Sequence, residues 1–113
     1  TANGRVLVSA LPSSEVEAWL ARQRLESLTP HTITSVRRLA DEIARTRVDG
    51  YALVDQEFEL GLRTIAVPLK NYRGEVIASI NVGAHAARMS MDSLVDHCLP
   101  ALLQAQARLR SVL

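Results

Sequence analysis

Cysteine is nearly absent from this sequence. Of the 113 residues only Cys98 is a cysteine, so no disulfide can form within the chain. This composition fits a reducing compartment, and we expect a cytoplasmic protein. No apolar run approaches the ~20 residues that a membrane-spanning helix needs, and no charged start precedes an apolar stretch as in a signal peptide. We therefore expect no membrane partner.

An excess of one charge is missing as well. The formal net charge is +1, whereas a DNA-binding domain usually carries a basic excess or a basic face. This segment is therefore not expected to bind nucleic acid directly. The remaining composition, 48% hydrophobic and 22% charged, is ordinary for a globular protein. The length suffices for one domain with its own core, and we expect one domain over residues 1–113.

Motifs that carry enzymatic chemistry are lacking too. The sequence has no glycine-rich phosphate loop, paired-cysteine zinc motif, HExxH or nucleophile elbow. The acidic residues of segment 55–59 could donate a catalytic carboxylate or, with His85, bind a metal. A solvated loop and a surface histidine are the favoured interpretations, and Cys98 lies on an apolar stripe where a structural role is expected. We expect neither an enzyme nor a metal site nor a cofactor.

Two short helices are expected at the start of the chain. Residues 2–10 are apolar and tolerate a helix, and the residue before Pro12 disfavours its continuation. Ser14 and Glu17 have the spacing of a capping box, which predicts a second helix after them. Its apolar residues fall on one face: Val16, Trp19 and Leu20.

Two longer helices are expected further along. Thr34 or Ser35 can cap one of them, and Gly50 supplies its C-terminal stop. Its buried stripe should consist of apolar residues three and four apart: Val36, Leu39, Ala40 and Ile43. Ser90 can cap the final helix, in which Pro100 should produce a kink.

Three strands are expected between the third and fourth helices, over residues 51–54, 64–69 and 76–82. The turn residues 71–74 make the last two strands a hairpin, and Pro68 should face an edge or a bulge. Three strands with helices on one side form an α+β layer arrangement. Such a sheet leaves an unpaired edge, which missing N-terminal strands or a partner chain would cover.

The third strand ends in residues suited to ligand binding. It is apolar until Asn81, which is followed by Gly83. An amide and a glycine offer hydrogen bonds and close backbone approach to a ligand, and Thr64 begins the strand paired with them. The alternative is that Asn81 satisfies a buried turn, and the sequence leaves both interpretations open.

Several motifs in order resemble a known family. The segments Gly50–Glu57 and Leu60–Pro68 resemble the signature of IclR-family transcriptional regulators, as do Gly4–Leu7, Leu11-Pro12 and Asn81–Gly83. The stretch VDQEFELGLRTIAVP is similar to the subgroup that controls aromatic-acid catabolism through the β-ketoadipate pathway. The resemblance covers nearly the whole chain.

The resemblance implies a fold and a function. Such regulators have an N-terminal winged helix-turn-helix that binds operator DNA and a C-terminal GAF-like domain, an antiparallel sheet with flanking helices, that binds a small acid. They assemble as dimers or tetramers. We expect this chain to be part of the effector domain, without its first strands and without the DNA-binding domain, so that DNA is a partner only through the missing part. The alternative is an oligomerisation module without a working pocket.

The resemblance also implies the positions that line the ligand pocket. They are Ala2, Asn3, Val54, Thr64, Asn81 and Gly83. Relatives that bind α-keto acids have an acid, a cysteine and two serines at the last four positions. The loss of a carboxylate and a thiol here favours an aromatic or dicarboxylic acid. Arg63 should point away from the face that carries Thr64, so backbone amides, Thr64 and Asn81 are expected to hold the ligand carboxylate.

Overall fold

The computed structural model describes all residues from Thr1 to Leu113. In chain order the elements are α1 (Ala2–Ser9), α2 (Ser13–Ala21), α3 (Val36–Asp49), β1 (Ala52–Asp55), β2 (Leu62–Lys70), β3 (Val76–His85) and α4 (Met91–Leu109). The predicted order of three helices, three strands and one helix is confirmed, and so is the α+β class. No helix combines the length and the apolar character needed to cross a membrane.

The three strands form one antiparallel sheet with β2 in the centre. Val54 of β1 pairs with Thr64, which pairs in turn with Gly83 of β3. Both β2 and β3 extend further than predicted, so that Gly83 lies inside a strand rather than after it. Pro68 fits its expected setting, because β1 begins opposite Ala66 and leaves Pro68 unpaired on that side, and a register shift follows the proline. Pro68 has no partner in β1, and its carbonyl accepts a hydrogen bond from Nε2 of Gln106 in α4, at 2.7 Å.

Helices cover both faces of the sheet, and the expectation of helices on one side was wrong. One face packs against α1 in a cluster of small side chains: Ala2, Val6, Ala52, Val54 and Ala66. The other packs against α4 through Ile65, Val67, Leu94 and Leu102. Successive strand residues point to opposite faces, so the uninterrupted apolar run Ile65–Val67 requires cover on both sides. All three residues of this run are fully buried.

Most of the predicted helix ends are confirmed. The Ser35 side chain accepts from the amide of Arg38, and Gly50 ends α3 in the left-handed conformation at φ 81°. The Ser90 hydroxyl caps α4, which continues through Pro100 to Leu109.

Two details of the helix prediction were wrong. The capping box does not form, because α2 begins at Ser13 and the Pro12 carbonyl accepts the first turn's amides of Glu15 and Val16. Ser14 therefore lies inside the first turn. Val36, expected on the buried stripe of α3, is exposed because it begins the helix at the rim of the core.

A third apolar cluster joins α2 and α3 to the segment between them. Its buried members are Val16, Leu20, Ile33, Leu39 and Ile43. Arg47 of α3 fixes the turn between α1 and α2, since its guanidinium donates to the carbonyls of Ser9 and Leu11 and to the Ser13 hydroxyl. These bonds position the end of α1 relative to α3.

Candidate functional site

Four of the six predicted pocket residues line one cavity. This small cavity has a volume of about 120 Å³ and lies between the start of α1 and the sheet. It is lined by Thr1, Ala2, Val54, Phe58, Leu62, Thr64 and Asn81. The register explains the convergence, because Val54 pairs with Thr64 and both side chains lie on the face that α1 covers.

The other two predicted residues do not line the small cavity. The Oδ1 atom of Asn3 accepts a hydrogen bond from the Ser79 hydroxyl at 2.8 Å, which turns its amide toward β3. Gly83 lies opposite Thr64 on the exposed part of β3. A Cβ there would lie 3.4 Å from Cδ1 of Leu62 and 3.6 Å from Cγ2 of Thr64. Gly83 therefore borders the cavity wall without contributing to it.

The β3 residues are less buried than the sequence suggested. No residue of β3 is fully buried, and Asn81 and Gly83 are exposed. The strand forms one edge of the sheet, and Asn81 lies within β3 rather than in a turn. The interpretation of Asn81 as the satisfied amide of a buried turn is therefore wrong.

Two polar side chains at the small cavity are free to bind a ligand. Neither the Thr64 hydroxyl nor the Asn81 amide takes part in a side-chain hydrogen bond, whereas the side chains of Thr29, Thr32 and Gln56 in the surrounding loops do. A hydroxyl can donate and accept, and an amide offers two donors and an acceptor. The pair is suited to a carboxylate, a phenol or a carbonyl group.

A second cavity adjoins the first and is much larger, at about 640 Å³. This large cavity lies between α1, α2, α3 and segment 25–33, and Trp19, Leu25 and Ile43 contribute to its mostly apolar wall. The two cavities share three lining residues: Thr1, Val54 and Phe58. Ligand pockets typically span about 300–1,000 Å³, so the small cavity alone is below that range and the large one is within it.

A buried ion pair at the large cavity was missed by sequence reasoning. Arg5 of α1 donates to both carboxylate oxygens of Glu57, at 2.8 and 3.3 Å, and Nη1 also donates to the carbonyl of Leu53 at 3.3 Å. The side chain of Arg5 is only 7% exposed and that of Glu57 17%. The one sequence signal for a buried arginine was the position of Arg5 among the apolar residues of α1. No local pattern links Arg5 to Glu57, which lies far along the chain.

The acidic segment is engaged in ion pairs and loop contacts rather than solvated throughout. Asp55 accepts from Nε of Arg63 at 2.8 Å, and this hydrogen bond holds the pKa of Asp55 below its ordinary value. Arg63 also donates to the carbonyls of Ala86 and Met89, which agrees with its expected orientation away from the face of Thr64. No group of three His, Cys, Asp or Glu side chains is arranged to hold a metal ion.

The backbone of the acidic segment is held by the loop before α3. The hydroxyl of Thr29 donates to the carbonyl of Gln56, and that of Thr32 donates to the carbonyl of Glu57. Gln56 adopts a positive φ of 58°, and its side-chain oxygen accepts from the amide of Gly61. The wall that carries Phe58 is therefore fixed from two sides.

Comparison with known proteins identifies the family of this fold. Residues 1–111 match the family model described as the C-terminal domain of the bacterial transcriptional regulator IclR. The chain belongs to the IclR family. It is 37% identical over 105 residues to the Pca regulon regulatory protein of Pseudomonas putida, a match that covers 93% of this chain and 36% of that protein.

Two further relatives agree with this assignment. The p-hydroxybenzoate hydroxylase transcriptional activator of Acinetobacter baylyi is 35% identical over 112 residues, which cover 99% of this chain and 41% of that protein. A crystal structure of a double mutant of the Acinetobacter PobR inducer-binding domain, in complex with 3-hydroxybenzoic acid, has a TM-score of 0.95 at 34% identity. That match covers all of this chain and 65% of the other. This IclR-family chain thus spans about two-fifths of the length of these curated relatives, which are regulators rather than enzymes, and the resemblance to the aromatic-acid subgroup is confirmed.

Proposed function

We propose that this chain is the effector-sensing part of a cytoplasmic bacterial transcription regulator that controls aromatic-acid catabolism. The ligand is a small aromatic or dicarboxylic acid. DNA is bound by a separate N-terminal domain of the complete polypeptide, and the regulator works as a dimer or tetramer.

The observation that carries this proposal is the convergence of Ala2, Val54, Thr64 and Asn81 on one cavity. These residues come from a helix and three different strands, and two of them present unengaged polar groups. The relative whose inducer-binding domain holds 3-hydroxybenzoic acid has nearly the same fold, which supports an acid of similar size here.

The space available favours a ligand that occupies both cavities near their shared wall. The ring would lie against Val54 and Phe58, with a polar substituent at Thr64 and Asn81. An aromatic ring contributes apolar burial, and the few polar contacts fix its orientation. Ligand binding would then favour one arrangement of the regulator over another and shift the population of DNA-binding states.

Calorimetric titration of the complete polypeptide tests the proposal. We expect 3-hydroxybenzoate, 4-hydroxybenzoate or β-ketoadipate to bind, and benzyl alcohol, which lacks the carboxylate, to bind more weakly. Asn81→Leu should weaken binding by about 1–3 kcal/mol, the cost of an unmet polar partner. The matched control is Gln104→Leu in α4, an exposed amide on the other side of the sheet that makes no side-chain hydrogen bond. Failure of every acid to bind the parent would refute the sensing function.

A role in oligomerisation is the second candidate, and the sheet edges favour it. Both β1 and β3 have one unpaired side, and exposed strand edges are normally covered. Light scattering at about 50 μM distinguishes the cases, since interfaces of ordinary size persist in that range. A dimer or tetramer that forms without any acid binding would favour this second function over the first.

A further inference from the structure

We propose that Arg5 sets how strongly the two cavities prefer an anionic ligand to a neutral one. It neutralises Glu57, and it joins three parts of the cavity wall: α1, β1 and the acidic segment. This inference rests on the proposed function and extends it to a residue that does not line the small cavity.

The contacts of Arg5 reach each part of the wall. Its backbone amide bonds the carbonyl of Thr1 at 3.0 Å within α1. Its guanidinium donates to the carbonyl of Leu53 within β1 and to the carboxylate of Glu57 in the acidic segment. The contacts lie at or beside the three residues shared by both cavities: Thr1, Val54 and Phe58. Loss of the guanidinium would leave the backbone bond to Thr1 in place but would separate α1 from Leu53 and Glu57, and so loosen the wall where the two cavities meet.

The charges of the pair matter as much as its position. Arg5 is the only charged residue among the fully buried ones, and both members of the pair line the large cavity. When one partner of a buried pair is removed, the other remains as an uncompensated charge. A unit charge roughly 10 Å from a ligand charge, at the effective dielectric constant of protein interiors, changes affinity by roughly tenfold. An unpaired Glu57 would repel an acid, and an unpaired Arg5 would attract it.

Three variants of the complete polypeptide test this inference: Arg5→Gln, Glu57→Gln and the double variant. The probes are 3-hydroxybenzoate and its neutral amide, 3-hydroxybenzamide, and the measured quantity is the ratio of their dissociation constants. We expect the preference for the acid to fall roughly tenfold in Arg5→Gln and to rise by a similar factor in Glu57→Gln. In the double variant it should return close to the parent value. Arg45→Gln, which breaks two ion pairs on the surface of α3, is the matched control and should leave the ratio unchanged.

The ratio separates this role from a purely structural one. Loss of packing alone would weaken acid and amide equally and would leave the ratio within about twofold of the parent in every variant, which would overturn the inference. If Arg5→Gln does not fold, the rise in Glu57→Gln and its reversal in the double variant still decide the question. If the parent binds neither probe nor any other acid, the proposed function fails, and this inference fails with it. If the parent binds the acid but the ratio does not respond, only this inference fails.

Discussion

Replacement of Thr64 by valine tests the small cavity with little change in shape. Valine keeps the branched side chain and exchanges the hydroxyl for a methyl group. In this structure the Thr64 hydroxyl makes no hydrogen bond within the chain, so the fold should lose nothing by its removal. Both residues favour strands, and Thr64 lies in the middle of the pairing with Val54 and Gly83. The midpoint of urea unfolding should therefore stay the same.

The effect of this substitution on ligand binding depends on the ligand group that Thr64 contacts. A lost hydrogen bond to a neutral phenol costs about 0.5–1.5 kcal/mol, or about two- to twelvefold in the dissociation constant. A lost bond to a carboxylate costs about 1.5–3 kcal/mol, which is more than about tenfold. Titration with 3-hydroxybenzoate and with benzoate distinguishes the two contacts, because only 3-hydroxybenzoate carries the phenol. A bond to the phenol predicts weaker binding of 3-hydroxybenzoate alone, and a bond to the carboxylate predicts weaker binding of both acids. Thr34→Val, in the exposed segment before α3, is the control.

Unchanged affinity for both acids would refute this placement of the ligand. The argument requires that a hydroxyl which faces the cavity, with no partner in the chain, takes one from the ligand. If Thr64→Val and Asn81→Leu both bind as the parent does, the acid does not occupy the small cavity, even where the regulator does sense it.

Three further predictions concern stability. Leu94→Ala should lower the free energy of unfolding by about 3 kcal/mol or more in urea titrations, since the side chain is fully buried against the sheet; a loss under 1 kcal/mol would contradict this packing. Ser35→Ala should cost about 1 kcal/mol through the lost N-cap, and Ser14→Ala, within a helix, much less. Arg63 lowers the pKa of Asp55, so the pair stabilises the fold at neutral pH, and this contribution is lost as the pH falls below about 4. In Asp55→Asn the free energy of unfolding should therefore change less with pH in this range.

Much of the fold follows from local chemistry that the sequence displays. Ser35 before an apolar periodic stretch and Gly50 after it mark α3 because capping depends on neighbouring residues alone. The hairpin follows from the turn residues 71–74 in the same way. Strand lengths were underestimated, because β2 and β3 continue through polar residues such as Arg63 and His85, whose backbone pairs regardless of side chain.

The parts that were missed depend on contacts between distant residues. Arg5 and Glu57 are too far apart in the chain for any spacing rule, and Arg47 forms its bonds to the α1–α2 turn across a similar interval. The burial of both faces of β2 could have been predicted from the three consecutive apolar residues Ile65–Val67, because a half-buried strand alternates apolar and polar residues. The resemblance to a family supplied the pocket positions: four of them line the small cavity, Gly83 borders its wall, and Asn3 is turned toward Ser79.

The central position of β2 has a consequence for the order in which this molecule opens. Its middle residues are paired on both edges and covered on both faces, so their amide protons should exchange with solvent most slowly, through global unfolding. Segment 25–33 lacks regular structure, and its amides should exchange through local fluctuations. The candidate site includes residues of both kinds: Thr64 lies on β2, whose amides should exchange slowly, and Phe58 lies in an exposed loop, whose amides should exchange faster. A ligand that bridges them would slow exchange in the loops far more than in the sheet, so its effect on dynamics would be visible where the fold is least constrained.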